Sequence, residues 1–506
     1  MNKISKLMSL LAAATAMMAT TGCAGWLDIP VEATEPVDAV DYSNYSGADQ
    51  LLAGCYAMVS SSRSIGSWAI LGPMAVRGDD TEKGNSNPND QAILAELHNF
   101  NYSNAPSFWA LANAWNDQYW VIMRLNEAVE GFAQYRQAGA DAAKMDEYAA
   151  QARVLRAYTY FRIARLFGAV PVFTSYEQQL ASPKRSRFEK VMRFIIDDME
   201  DAAGYLQDRK PNEMAVRGQV TRYTAYAVQA KAAAEILDYE TVLAATEAII
   251  AAYGQGALVS DYTKVFSNEG NLSSENLYEI QYSSATNPST SDDNYFAFQG
   301  PNHSIISVKQ LPNAEKPDEP VNLGGGWGFL PPSESLDEFM KNRGETVRYR
   351  TSVLKVGEYT FAGDLIVADP GMPYPSMYSG KAYNPSVLCP AGRFSWGADN
   401  SIKLIRYSDI LLLNAEARVG LQQNGDQPFN WVRQRAGMPE LTGVTFEQIM
   451  DERLAELCLE AGERYFDLAR TGLAEKVLPG YTQAKRFYPI PQVAIDNYKV
   501  LLEDPE

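Results

Sequence analysis

The sequence predicts a mainly α-helical protein, a scaffold of helical hairpins overlaid by a loop-rich segment with a few short strands. Three observations predict this. Apolar residues recur at helical spacing from about residue 47 to 253 and again after 401, small alanine-rich faces run along that pattern, and residues 254–400 change texture to Ser, Asn, Pro and Gly. A chain of 506 residues can bury roughly three quarters of its extended surface, so the fold needs no covalent staple.

The expected helices are 47–61, 107–133, 143–167, 187–207, 219–237 and 239–253, then 333–342, 403–419, 427–436, 445–461 and 464–471. The clearest face is Phe188, Val191, Ile195, Met199, Ala202 and Leu206, whose spacing of three and four places them on one side of a helix. Asp238, Tyr239 and Glu240 leave room only for a tight turn, which makes the helices on either side antiparallel neighbours. Ala225, Ala227, Ala230, Ala232, Ala233 and Ala234 let backbones approach closely. Arg156 with Tyr158, Arg222 with Tyr223 and Arg406 with Tyr407 open three comparable helices, an echo of stacked tetratricopeptide-like pairs, although the period is not constant. The alternation of Leu277, Tyr278, Glu279, Ile280, Gln281 and Tyr282 predicts a strand. The irregular run 283–332 is long enough to predict a functional surface.

Charge and side-chain supply exclude several function classes. A net charge of −18 argues against nucleic acid, whose phosphates require a basic stripe, and against docking on anionic lipid headgroups. Cys23, Cys55, Cys389 and Cys458 show no C-x-x-C spacing, so no zinc site or disulfide framework is indicated. His98 and His303 are the only histidines, a poor supply for a catalytic triad or a histidine-rich metal site. No cofactor motif is present: the glycines at 324–328 lack the following Lys-Ser/Thr of a phosphate loop.

The N-terminus reads as a targeting segment. Lys3 and Lys6 precede an apolar run over 7–19, which is too short to span a bilayer comfortably and ends in Thr20, Thr21, Gly22 and Cys23. Gly22-Cys23 resembles a bacterial lipobox, with Thr20 where a Leu is usual. Residues 1–22 are expected to be a lipoprotein signal peptide, with Cys23 the lipidated residue. Two or more acyl chains would anchor the protein stably without a transmembrane helix. Residues 23–46 then form the anchor and an extended tether, and 47–506 a single domain.

The run 445–496 carries the most specific pattern. It reads Glu452-Arg453-x-x-Glu456-Leu457, Glu460-x-Gly462-x-Arg464-Tyr465-Phe466-Asp467-Leu468-x-Arg470, and then Pro489-Ile490-Pro491 with Ile495-Asp496. Seven charges among apolar neighbours predict an internal ion-pair lattice that locks two helices together, since an inward charge needs a partner and an Arg fork matches a carboxylate. The same run resembles the C-terminal signature of the SusD/RagB family of surface lipoproteins. It departs from that signature where Leu454 replaces a second Arg and where Ala461 displaces the Gly to Gly462. The resemblance implies a tetratricopeptide-like helical hairpin scaffold. It also implies a non-catalytic, outer-membrane lipoprotein of starch-binding and polysaccharide-utilisation type, which hands oligosaccharide to a SusC-like TonB-dependent transporter. Trp26, Leu27, Asp28 and Pro30 resemble the mature start of that family.

Sugar rings present apolar C–H faces and dense hydroxyls, so a site for them needs flat aromatics bordered by carboxylates and amides. Three stretches offer this chemistry: Asp79 and Asp80 before the loop 84–90; Tyr102 and Asn104; and Tyr295 and Phe298 with Trp327. Trp327 stands out because it sits between glycines, where no helix face requires it. Asp79 and Asp80 also suit turns and caps. Trp109, Trp115 and Tyr119 recur at helical spacing and are expected in the core. No catalytic residue and no metal ligand are singled out. Alternative functions are a peptide-binding member of the same family, a two-carboxylate glycoside hydrolase, or an adhesive surface protein suggested by Arg77-Gly78-Asp79.

Overall fold

The computed structural model describes residues 40–61, 63–64, 66–175, 177–178, 184–282, 294–300, 304–307, 321–322, 326–367, 375–388 and 399–506. Helices α1 (Ser46–Val59), α2 (Trp68–Ala75) and α3 (Ala92–His98) precede the two longest, α4 (Trp109–Gln137) and α5 (Ala142–Phe167). Next come α6 (Phe188–Ala203), α7 (Arg222–Glu235) and α8 (Tyr239–Tyr253). After the loop-rich segment the chain resumes as α9 (Tyr407–Gly420), α10 (Asp426–Arg435), α11 (Phe446–Leu457) and α12 (Glu463–Arg470). From α4 to α9 each helix packs on the next, and α9 then packs on both α10 and α11. The fold is mainly α, as the periodicity predicts.

Local chemistry explains the hairpins. Val191, Ile195, Met199 and Ala202 of α6 are buried as their spacing requires, and the alanines of α7 are all enclosed, so neighbouring backbones meet without gaps. The Asp141 and Asp238 side chains cap α5 and α8 by accepting from Lys144 N and Thr241 N. α9 docks directly on α8, so the intervening residues form an excursion from the helical series. Its neck is closed by an antiparallel pair, Asn276–Ile280 with Ile402–Arg406, sealed by Tyr407 N donating to Glu275 O at 2.8 Å. The other described strands are short: Val170–Pro171 pairs with Arg185–Ser186, Ser304–Ser307 lies between Val321–Asn322 and Asp364–Val367, and Val353–Lys355 pairs with Met377–Ser379.

Three expectations change. Residues 402–406 are a strand rather than the start of the helix expected over 403–419, because they pair with 276–280. The helix expected to reach 461 stops at Leu457, since Leu459, Ala461 and Gly462 take left-handed backbone with φ of 64°, 48° and 80°. A Cβ on Gly462 would lie 2.5 Å from Met74 O, so that close approach requires glycine. α2 was not anticipated, because it is buried on every side and its sequence shows no amphipathic period.

The predicted ion-pair lattice exists, but it joins far more than two helices. Glu456 Oε1 meets Arg406 at 2.9 Å and Arg435 at 2.5 Å, and its other oxygen faces Arg348 at 3.5 Å. Glu452 meets Arg348, Arg343 and Arg433 at 2.6, 2.6 and 2.7 Å. Arg453 bridges Asp409 and Asp467, Arg470 grips Glu416 with two nitrogens, and Glu463 pairs with Arg165 and Lys231. Arg406 also reaches Glu460 and Glu275. Burial pushes Glu456 toward the neutral form, yet Arg435, Arg406 and Arg348 outweigh it and hold the carboxyl well below its ordinary range. Glu452 and Asp467 are lowered in the same way, against burial, by Arg348 and Arg453 respectively. The lattice therefore fastens the C-terminal helices to α5, α7, α9, α10 and the neck of the excursion.

Candidate ligand-binding site

Three stretches distant in sequence are drawn together by backbone hydrogen bonds. Residues 80–85 run antiparallel to 328–333, with Glu82 N donating to Pro331 O at 3.0 Å, Leu330 N to Lys83 O at 3.2 Å and Asn85 N to Gly328 O at 2.6 Å. Gly84 has φ of 71°, and a Cβ there would lie 2.4 Å from Gly328 O, so the approach requires glycine. The third stretch is the end of the short helix Asn294–Gln299. Gly328 N donates to Gly300 O and Phe329 N to Phe298 O, both at 2.9 Å. These bonds deliver Phe298, Trp327 and Phe329 to one place beside α2.

The rings form an ordered platform. Trp68, the first residue of α2, stacks on Phe298 at 4.7 Å and 18°, and Phe298 stacks on Phe329 at 4.7 Å and 11°, giving a column of three near-parallel rings. Trp327 stands edge-on to Trp68 and Phe298, at 6.3 and 6.4 Å with interplanar angles of 86° and 87°. Trp109, the first residue of α4, stands edge-on to Trp68 at 5.0 Å and donates its indole N–H to Gln91 Oε1 at 3.2 Å. A cavity of about 330 Å³ opens here, lined by Trp68, Asp90, Gln91, Phe298, Trp327 and Phe329. Asp90 Oδ2 accepts from Asn85 Nδ2 at 2.9 Å, which fixes the carboxylate at the rim. Flat apolar rings with one carboxylate and one amide suit the alternating C–H faces and hydroxyls of a sugar.

The structure brings together only part of what the sequence nominates. Trp327 lines the cavity and is partly exposed, whereas Phe298 is fully enclosed and holds the column from within. Tyr295 lies on the helix Asn294–Gln299, and its side chain falls outside the described residues, as do Asp292, Asp293, Gly324, Gly325, His303 and Cys23. Asp79 is instead paired with Arg464 at 2.7 and 3.0 Å. Asp80 is buried, accepts Leu459 N at 2.8 Å, and is pushed up to about 6 by that burial. Tyr102 donates to Lys485 O and packs against Tyr488, while Asn104 donates to Glu96. These four polar residues have internal partners and do not line the Trp327 cavity. The partners of Asp79, Asp80 and Tyr102 are remote in sequence, so a motif-scale reading could not see them.

Trp115 is buried as expected, but Trp109 is 44 % exposed at the cavity mouth. Trp68, Phe329, Asp90 and Gln91 were missed. Asp90 and Gln91 close the Gly/Asn/Pro-rich loop already marked at 84–90, and Trp68 follows Gly66 and Ser67, so Gly-flanked aromatics and loop ends were the available signal. Among the described residues no cluster of His, Cys, Asp or Glu is arranged to hold a metal ion, and no helix is long and apolar enough to cross a membrane.

Comparison with known proteins places this architecture. The sequence model of the SusD family matches residues 364–499, and that described as "Starch-binding associating with outer membrane" matches residues 77–234. SusD-like protein P38 of Formosa agariphila is 25% identical over 409 residues, 74% of this chain and 76% of that protein. SusD-like protein P2 of the same organism is 23% identical over 91% of this chain and 90% of its own length. Among solved structures, surface glycan-binding protein A from Bacteroides fluxus superposes with a TM-score of 0.73 at 23% identity, covering 89% of this chain and 96% of that one. A laminarin-binding SusD-like protein superposes at 0.72 with 21% identity, covering 90% and 98%. Surface glycan-binding protein A from Bacteroides thetaiotaomicron, solved with laminarihexaose, superposes at 0.69 with 19% identity, covering 90% and 98%. The fold is thus that of the SusD-like proteins, and the chain belongs to the SusD/RagB family.

Proposed function

We propose that this protein is a non-catalytic surface lipoprotein that captures an oligosaccharide and delivers it to a SusC-like TonB-dependent transporter in the outer membrane. The observation that carries the reading is the aromatic platform of Trp68, Trp109 and Trp327 around a cavity with Asp90 and Gln91 at its rim. Binding of laminarihexaose by a structural neighbour makes a neutral glucan the first ligand to try. Residues 1–22 are the signal peptide, Cys23 carries the lipid, 23–46 is the tether, and 47–506 is the binding domain with its ligand-facing excursion at 254–400. Tyr295 is a second aromatic ring proposed to contact the ligand.

Calorimetry of the purified protein with laminarihexaose, cellohexaose and maltohexaose tests the reading. At least one is expected to bind and to be recovered uncut, with affinity lost in Trp327→Ala. A lack of heat with every glycan would overturn the proposal. Isolation from the native outer membrane tests the rest: an acylated Cys23 by mass spectrometry and a co-purifying barrel transporter are expected. An adhesive protein would bring down no such partner.

A further inference from the structure

We infer that Asp90 is a specificity-determining residue, which makes the cavity select uncharged sugar rings and reject those that carry carboxylates or sulfates. The inference rests on the glycan-binding reading of this site. Asp90 is the only charged residue lining the cavity among the described residues, and its Oδ2 is fixed by Asn85 Nδ2 at 2.9 Å rather than by a cation. The same loop carries one lysine, Lys83. Its ammonium donates to Asn87 O at 2.9 Å and sits over the Phe329 ring at 5.3 Å; it feels the Asp90 charge at longer range but closes no ion pair with it among the described residues. The remaining walls are aromatic rings and the Gln91 amide, whose oxygen is held by the Trp109 indole. An anionic sugar ring entering here meets a fixed like charge between low-dielectric walls, where repulsion is weakly screened. The chain's overall charge of −18 acts in the same direction at long range, but salt removes that part.

The test compares laminarihexaose, cellohexaose and maltohexaose with the C6-oxidised form of each, which bears a carboxylate on every ring but keeps the linkage. Binding is measured by calorimetry at 0.15 and 0.5 M salt on the wild type, on Asp90→Asn and on Asp90→Ser, with thermal melts confirming that both variants fold. The wild type is expected to favour the neutral form by roughly tenfold or more. Both variants are expected to narrow that preference several-fold, and the narrowing should persist at high salt, because each changes the net charge by only one. An oxidised glycan bound as tightly as its neutral parent, or a preference unmoved by either variant, overturns the inference and leaves glycan binding standing. If no glycan binds in either form, the functional reading itself has failed, and the inference with it.

Discussion

The run 445–470 and the rim around Trp327 use their side chains in opposite ways. Between Glu452 and Arg470 the first turns its charges inward and gives each a partner; the second turns large rings partly outward and keeps charge sparse. The more conspicuous sequence pattern is therefore architecture, and the candidate site lies where the sequence is quiet. Dense charge among apolar residues marks a place that must be neutralised internally, because a buried ion without a partner costs several kcal/mol. A ring flanked by glycines has no such obligation and is free to meet a ligand.

The contrast breaks most sharply at Glu456. Glu456→Gln leaves Arg406, Arg435 and Arg348 short of a counter-charge, and a loss of about 3–5 kcal/mol in denaturant unfolding is expected. Wild-type stability in that variant would show that the lattice is not what fastens the helices. Trp327→Ala should do the reverse, weakening glycan affinity by about 2 kcal/mol, roughly thirtyfold, while stability moves little. If it unfolds the protein instead, the ring belongs to the core. Gly84→Ala falls between the two regions. With φ of 71° and Gly328 O in the way, it should cost about 1–3 kcal/mol of stability and displace the Trp327 segment, so melts and affinity should fall together.

The smallest expected effect concerns pH. Glu452, Glu456 and Asp467 have folded-state pKa values below their unfolded ones, so their contribution is complete above about pH 5 and is lost as pH falls through the folded values. Asp80 has the opposite sign. Its pKa is pushed up from 3.8 to about 6, so its contribution is fullest below pH 4 and is lost as pH rises through 6. Asp80→Asn keeps an acceptor for Leu459 N and should be more stable than the wild type by about 1 kcal/mol at pH 7, with the gain gone by pH 4. A gain that persists at pH 4 would exclude titration of Asp80 as the cause.

Much of the architecture was decided locally. The three-and-four spacing of α6, the alanine face of α7 and the Asp caps of α5 and α8 are properties of adjacent residues, and the structure keeps them. That the charges of α11 and α12 must be paired was equally a property of the sequence, since a carboxylate at an apolar helical position has few alternatives. The partners were not. Arg348, Arg406, Arg435 and Arg165 come from four separate elements and meet this run only once the helices have stacked. The site depended on tertiary structure still more heavily. Trp68, Phe298, Trp327 and Trp109 lie on four stretches with no shared period; backbone bonds between 80–85, 298–300 and 328–333 bring in Phe298 and Trp327, and the packing of α2 on α4 brings in Trp68 and Trp109. Periodicity and capping act over one or two helical turns, whereas ring convergence is fixed by chain closures across hundreds of residues, and no local pattern encodes those.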